Sequence, residues 1–389
     1  MLFPVLSFLV VVLSIPLCLR LARRFGLYDE PDDERKLHHA RVPYTGGIAI
    51  AGSFAAVVTL MWFVEGLDML PSQPFNYVPI YLYIVEAAFI IFLLGAVDDF
   101  KELSSTKKFV FQFLAAIFII LGASRSGMFP EVFSPLQSSV LSNSIGTVIT
   151  LLWIVGTTNA INMIDGMDGL AGGSALISSV TMGVLATVWG SSLLGIILFI
   201  LAGVLLGFLL YNRPPARVFM GDTGSMFVGF VLAVCGWLLL VSAPLRPSAF
   251  TVPVIILGLP VFDTLLAFGR RLLARRNPFS ADTYHIHHML KRRFGLSTRG
   301  TVLILYGVTA AYCVAGLAIA FVPETLSWAI VAVVAGGTGG FLHLLGYTDI
   351  LRGRSARIDD MVAVMPRANG VHRNGSRHHG RRRLRTMHD

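Results

Sequence analysis

The sequence predicts an all-α, polytopic membrane protein of about eleven transmembrane helices, and three observations carry that prediction. Of its 389 residues, 55% are hydrophobic and only 14% are charged, against about 45–50% and about 25% in an ordinary soluble domain. Mean hydropathy is +0.72. The apolar residues fall into long runs that are apolar all round, as helices facing lipid must be. These features exclude a secreted or cytosolic globular protein.

A bilayer core is about 30 Å thick, so a spanning helix needs about 20 mostly apolar residues. Eleven runs qualify: 2–18, 46–64, 78–97, 109–123, 144–163, 174–190, 191–211, 225–242, 251–269, 301–321 and 327–347. Gly190, Ser191 and Ser192 divide the sixth run from the seventh. The first run has no basic segment before it, and Arg20, Arg23 and Arg24 follow it. That order predicts an uncleaved first helix with its N-terminus outside. Cys18, Cys235 and Cys313 all lie in apolar runs, so they offer neither a disulfide framework nor a zinc cluster.

Eleven spans assign loops 19–45, 98–108, 164–173, 212–224 and 270–300 and the segment 348–389 to one side, together with 29 of the 31 Lys and Arg residues. Only Arg125 and Arg246 fall on the other. The positive-inside bias makes the basic side, and the C-terminus, cytoplasmic. The net charge of +9 therefore reflects topology rather than a nucleic-acid partner, and none is expected. Two regions follow: a transmembrane domain over 1–347 and a basic tail over 348–389. From about Arg352 the tail is rich in Arg, His, Gly, Asn and Ser. It is expected to be disordered and suited to contact with anionic headgroups.

Five polar clusters lie on the predicted cytoplasmic side. In the first, Arg35, Lys36, His38 and Arg41 can bind phosphate oxygens, and Gly46 and Gly47 let backbone approach a ligand at the head of the next helix. A charged loop that only sets topology would look similar. The second pairs Asp98 with Asp99 at the end of a span, costly beside a membrane unless paired or metal-bound. Mg2+ takes such oxygens and keeps waters for substrate phosphate to displace. In the third, Asn159, Asn162, Asp165 and Asp168 recur at spacings of three, followed by Gly169, Gly172 and Gly173. Amides and carboxylates there can meet a nucleobase, a ribose or a metal, and the glycines free backbone N–H groups for an anion. The fourth sets Asp222 between Gly221 and Gly224, with Phe219 nearby; it suits a metal ligand beside a base-stacking ring. The fifth holds His285, His287 and His288 with Lys291 and Arg293. Three histidines can bind zinc, but no cysteine accompanies them, and the basic flank favours donation to a phosphate or sugar hydroxyls. Two further acids, Glu86 near the middle of its span and Asp263 about two turns inside its own, are functional candidates or bundle-internal partners. His343 is expected inside the bundle.

Carboxylates for Mg2+, cations for a diphosphate and a membrane setting together suggest transfer of a phosphate-containing group from a soluble nucleotide to a lipid. Such chemistry needs mainly positioning and charge cancellation. The order Arg35-Lys36-x-His38 before Gly46-Gly47, Asp98-Asp99, Asn159-x-x-Asn162-x-x-Asp165-Gly-x-Asp168-Gly-Leu, Phe219-Met-Gly-Asp222-x-Gly-Ser and His285-Ile-His287-His288 resembles the polyprenyl-phosphate N-acetylhexosamine-1-phosphate transferases, glycosyltransferase family 4. The resemblance covers residues 1 to about 347, with His39 as an additional histidine after His38.

The resemblance implies a UDP-N-acetylhexosamine donor, a polyprenyl phosphate acceptor, UMP as the second product and Mg2+, with Mn2+ as an alternative. It implies that Asp98 or Asp99 keeps the lipid phosphate deprotonated and placed, and that Asp222, with Asp99, binds the metal. Asn159, Asn162, Asp165, Asp168, Phe219, His285, His287, His288 and Arg293 would bind the UDP-sugar; Arg35, Lys36, His38, Gly46 and Gly47 would bind phosphate. Eleven spans with His-Ile-His-His are more similar to the undecaprenyl-phosphate GlcNAc-1-phosphate branch, which starts cell-envelope polysaccharides such as lipopolysaccharide O-antigen. The alternative branch moves phospho-MurNAc-pentapeptide for peptidoglycan. A cation-coupled transporter is the rival from another class, although transporters place their acids near the midplane. A bacterial inner-membrane location, a cytoplasmic active site and a homodimer complete the expectation.

Overall fold

The computed structural model describes residues 2–29, 42–65, 78–126, 140–244, 246–273, 275 and 284–347. The expected tail, and Arg35, Lys36, His38, His39 and Arg41, lie outside them. The described chain is a helical bundle: α1 (Leu2–Phe25), α2 (Gly46–Glu65), α3 (Val78–Lys101), α4 (Ser105–Arg125), α5 (Val140–Ile164), α6 (Leu170–Val188), α7 (Ser192–Asn212), α8 (Gly221–Leu239), α9 (Thr251–Ile256), α10 (Gly258–Leu273), α11 (Ile286–Phe294), α12 (Thr298–Phe321) and α13 (Glu324–Leu344). Two short strands, β1 (Tyr28–Asp29) and β2 (Val42–Pro43), pair antiparallel with Tyr28 opposite Pro43.

Each of the eleven apolar runs is helical. Among the described residues, nine helices are long and apolar enough to cross a membrane: α1, α2, α4 to α8, α12 and α13. A tenth span is possible from a bent pair. The 24-residue α3 is apolar up to Val97 except for Glu86, and carries Asp98, Asp99 and Lys101 on its last turn. The chain is thus an all-α, multi-pass membrane protein. The break between α6 and α7 falls at Gly190, which takes φ +86°, a conformation that glycine adopts without a Cβ clash.

The ninth run differs from a straight span. The segment Pro247–Ile256 and α10 meet at an angle of 86°. Pro260 explains the bend: it has no N–H, and its ring excludes the carbonyl four residues earlier, that of Ile256. The Ile256 oxygen instead accepts hydrogen bonds from Ser178 Oγ at 3.1 Å and Cys313 Sγ at 3.8 Å. Beyond the bend, α10 turns Asp263, Ala267, Arg270 and Arg271 inward and leaves Leu265, Phe268, Leu272 and Leu273 exposed.

The centre of the bundle is α8, buried at every residue from Thr223 to Leu239. It packs against α2, α3, α5 and α6. Gly95 permits the close crossing of α3, since a Cβ there would lie 2.5 Å from Thr223 Cα. The periphery is α13, where Ser327 is the buried residue. Glu86 turns to the outer face of α3 rather than into the bundle, and His343 is exposed on the last turn of α13 rather than interior.

Candidate active site

At the first turn of α8, polar side chains from three neighbouring helices converge. Asp99, on the last turn of α3, accepts hydrogen bonds from the backbone N–H of Asp222 at 2.7 Å and of Thr223 at 3.0 Å. The Thr223 hydroxyl donates to it as well. Asp99 therefore caps α8 from another helix, filling donors that the first turn leaves open and meeting the positive end of the helix dipole. A side chain at Gly221 would collide with this carboxylate, its Cβ only 2.8 Å from Asp99 Oδ2. Gly221 has φ +68°, so glycine is required there for both space and conformation.

Asp98 lies next in sequence but about 100° away around the helix, and it meets different partners. It is 3% exposed. It accepts from Leu103 N at 2.6 Å and forms an ion pair with Lys108 Nζ, from the first turn of α4. The same ammonium donates to Asp222 Oδ2 at 2.9 Å. The other oxygen of Asp222 accepts from Asn162 Nδ2 at 2.7 Å, and Asn162 also reaches Ser225 Oγ at 2.8 Å. One cation thus sits between two carboxylates brought together from α3 and α8.

Burial and neighbouring carboxylates raise the pKa values of Asp98, Asp99 and Asp165. Burial pushes the Asp98 carboxyl up to about 6; Asp222 adds to the rise and Lys108 opposes it. Burial lifts Asp99 to about 6 against the pull of its three donors. Asp165 is raised well above the usual carboxylate range by burial and by the charges of Asp222, Asp99 and Asp168. Lys108 pairs with both Asp98 and Asp222.

The turn between α5 and α6 is braced from the next loop. Asn212 accepts from Gly169 N at 2.9 Å and donates to Val218 O at 2.8 Å. Asp168 accepts from Ala216 N at 2.9 Å, and Tyr306 OH donates to Gly169 O at 2.5 Å. The N-terminal half of α11 closes over this turn: a Cβ on Gly166 would lie 2.8 Å from His287 Nε2. His287 is 2% exposed, and neither of its ring nitrogens has a hydrogen-bond partner among the described residues. Burial lowers its pKa to about 3 and that of His288 to about 4, so both are neutral at physiological pH. His285 differs. Its Nδ1 meets Asp263 Oδ2 at 2.9 Å, while Asp263 Oδ1 accepts from Ile286 N at 2.8 Å and so caps α11.

Four of the five sequence clusters are thus gathered at one end of the bundle, and several of their residues also make contacts within the protein. Gly46 and Gly47 are spent on helix contact: a Cβ on Gly46 would lie 2.5 Å from Phe219 O, and one on Gly47 would overlap Gly224 N. Phe219 holds this contact through its backbone, donating to Pro43 O at 2.8 Å and accepting from Gly46 N at 3.0 Å. Asn159 pairs with Gln112 inside the bundle, donating to its Oε1 at 2.6 Å. Arg293 stands on the last turn of α11. Lys108 and Asp263 complete the site; the signal for both was a charged residue at or inside the edge of an apolar run.

Among the described residues, no three His, Cys, Asp or Glu side chains already form a metal site. The donor set nevertheless fits Mg2+, which is bound through one or two carboxylates plus substrate phosphates and waters. Asp98 and Asp222 supply two convergent carboxylates, and Lys108 Nζ marks the point at which positive charge is accepted. Such a site can hold a diphosphate and cancel charge as phosphorus changes partners.

Comparison with known proteins agrees with this chemistry. Residues 81–240 match the model of glycosyl transferase family 4. The chain is 35% identical, over 330 residues, to the probable undecaprenyl-phosphate N-acetylglucosaminyl 1-phosphate transferase of Bacillus subtilis, covering 85% of this chain and 87% of that protein. It is 32% identical to the decaprenyl-phosphate N-acetylglucosaminephosphotransferase of Mycobacterium tuberculosis, over 84% of each chain. It is 30% identical to the undecaprenyl-phosphate alpha-N-acetylglucosaminyl 1-phosphate transferase of Thermotoga maritima, over 80% of this chain and 86% of that one. A carboxylate site at one end of a membrane bundle, and relatives matched across most of their length, place this chain in glycosyl transferase family 4.

Proposed function

We propose that the protein transfers GlcNAc-1-phosphate from UDP-GlcNAc to a polyprenyl phosphate, giving polyprenyl-diphospho-GlcNAc and UMP. The observation that carries this is the convergence of Asp98 and Asp222 on Lys108, at the end of a membrane bundle. It is a cation-ready seat within reach of both a lipid headgroup and a soluble diphosphate. The names of the relatives supply the sugar and the lipid class.

In this scheme an oxygen of the lipid phosphate attacks the β-phosphorus of the donor. The new P–O bond forms as the bond from that phosphorus to the α–β bridging oxygen breaks, and UMP leaves with that oxygen. Asp98 and Asp222 would hold Mg2+, or Mn2+, which supplies Lewis-acid stabilisation of the diphosphate when bound. Lys108, beside both carboxylates, would donate to phosphate oxygens. Asp99 acts as a positioning residue: it fixes the first turn of α8 and, through it, Asp222. A lipid phosphate is already largely ionised near pH 7, so the chemistry does not demand a general base. Asp165 and Asp168 frame the uridine side. His285, His287 and His288 meet the sugar or its phosphate, with Arg35, Lys36, His38 and Arg293 as further phosphate contacts. In this reading the site faces the cytoplasm from a bacterial inner membrane, an orientation that the positive-inside distribution supports.

The test is UMP release by purified protein with Mg2+ and polyprenyl phosphate. Release with UDP-GlcNAc is expected. Release only with UDP-MurNAc-pentapeptide would move the protein to the peptidoglycan branch, and no release with either donor would sink the proposal.

A further inference from the structure

A cleft lies between the C-terminal end of α7 and the N-terminal end of α12. Its volume is about 580 Å³, within the range of about 300–1,000 Å³ usual for small-ligand sites. The helix α6 packs against both α7 and α12 and holds them apart. Arg213, Arg217 and Arg299 ring the cleft, and Leu210, Val302 and Leu303 supply apolar wall. None of the cleft's residues belongs to the Asp98–Lys108–Asp222 cluster.

Two features point to the occupant. First, the three guanidinium groups lack counter-charges: among the described residues no carboxylate pairs with any of them. Arg299 spends its Nε on Pro214 O at 2.9 Å, which fixes the side chain and leaves its terminal nitrogens available. Planar guanidinium groups match phosphate oxygens. Second, the apolar wall runs onto the lipid-facing surface, where Leu210 is 44% and Leu303 68% exposed. A free anion has no use for that surface, whereas an acyl chain can lie along it. Basic pockets between transmembrane helices on the positive side are suited to anionic lipid headgroups.

We infer that this cleft binds the headgroup of an anionic phospholipid, with an acyl chain along Leu210 and Leu303. The inference does not depend on the sugar donor. The cleft also shares its walls with the site's support. Ala216 N, in the loop bearing Arg213 and Arg217, holds Asp168 at 2.9 Å, and Tyr306, a lining residue, holds Gly169 O at 2.5 Å. A lipid seated here therefore steadies the loop that braces the α5–α6 turn.

The test is native mass spectrometry of the full chain, purified in neutral detergent and offered equal amounts of phosphatidylglycerol and phosphatidylcholine. One phosphatidylglycerol is expected to be retained preferentially. The triple variant Arg213→Gln, Arg217→Gln, Arg299→Gln should lower that preference about 100-fold. The control Arg20→Gln, Arg23→Gln, at the end of α1, should leave it unchanged. Leu303→Asp, which keeps all three arginines, should also reduce retention and covers the case of a misfolded triple variant. Undiminished preference in both the triple and the Leu303 variants would overturn the inference. So would displacement of the lipid by inorganic phosphate at equal concentration, which would mark a free-anion site, or by farnesyl phosphate, which would mark an acceptor site.

Discussion

The two ends of the bundle use charge in opposite ways. At the end that lacks the carboxylate cluster, Arg246 donates to Ile319 O and Val322 O, each at 2.5 Å, closing the C-terminus of α12. Glu324 accepts from Ser248 N at 3.0 Å, Ser248 Oγ at 2.5 Å and Trp328 Nε1 at 2.7 Å. Among the described residues, Arg246 and Glu324 each complete a helix end or tie two together. At the other end, among the described residues, Lys108 is shared by Asp98 and Asp222, with Asp99, Asp165 and Asp168 close by, and neither ring nitrogen of the buried His287 has a hydrogen-bond partner. Buried polar groups are normally satisfied, because leaving one unpaired costs about 1–3 kcal/mol. The contrast sets charge that completes helix ends against the charge that the proposed function assigns to a ligand.

That contrast can be broken by substitution at each end. Asp222→Asn should lower turnover by at least about 10³-fold, because it weakens the charge-cancelling site. UMP release across a Mg2+ titration is the measurement, and wild-type rates would remove Asp222 from the metal site. Lys108→Met should cost about 100-fold and also move the pH profile. Lys108 opposes the rise of Asp98, whose pKa lies at about 6. Losing the ammonium raises that value further, so the acid limb of kcat/KM should shift to higher pH. An unmoved limb would show that Asp98 is not the titrating group.

If His285 meets the substrate as proposed, Asp263→Asn should lower activity about 10–100-fold, the usual effect of losing a residue that orients such a histidine. The carboxylate accepts a hydrogen bond from His285 Nδ1–H and so favours the tautomer with Nε2 as an acceptor; the amide of Asn would donate to Nδ1 and favour the tautomer with the proton on Nε2. Nitrogen chemical shifts of labelled histidine should report the exchange, and a merely structural role would leave the tautomer unchanged. Arg246→Met should have the smallest functional effect. It should lower resistance to unfolding by about 2 kcal/mol with kcat within about twofold of wild type. A large loss of activity in a well-folded Arg246 variant would erase the distinction between the two ends.

Much of the fold was readable in advance, because a span announces itself by composition over about 20 residues. All eleven runs are helices, and Gly190 marked the division of the sixth from the seventh. The bend at Leu257 was missed although Pro260 was visible. An apolar run that long reads as one span, and only the neighbouring Ser178 and Cys313 show how the freed Ile256 carbonyl is accommodated. In the site, the residue types were readable and their tasks were not. Asp98 and Asp99 are neighbours in sequence, yet one faces Lys108 and the other the backbone of α8. Asn159 and Asn162 sit one turn apart, yet one pairs with Gln112 and the other with Asp222.

By itself the sequence determined that this chain inserts into a membrane, roughly where it crosses, and that its polar residues gather between the spans. Those properties depend on each segment's own preference for hydrocarbon or water, which is local. Tertiary structure decided which acids share a cation, which one caps a helix and which histidine stands against Asp263. Those outcomes depend on how closely helices approach, which Gly46, Gly47, Gly95 and Gly221 permit by having no side chain. An approach of that kind joins residues more than a hundred positions apart, such as Asp99 and Asp222, and no local pattern encodes it.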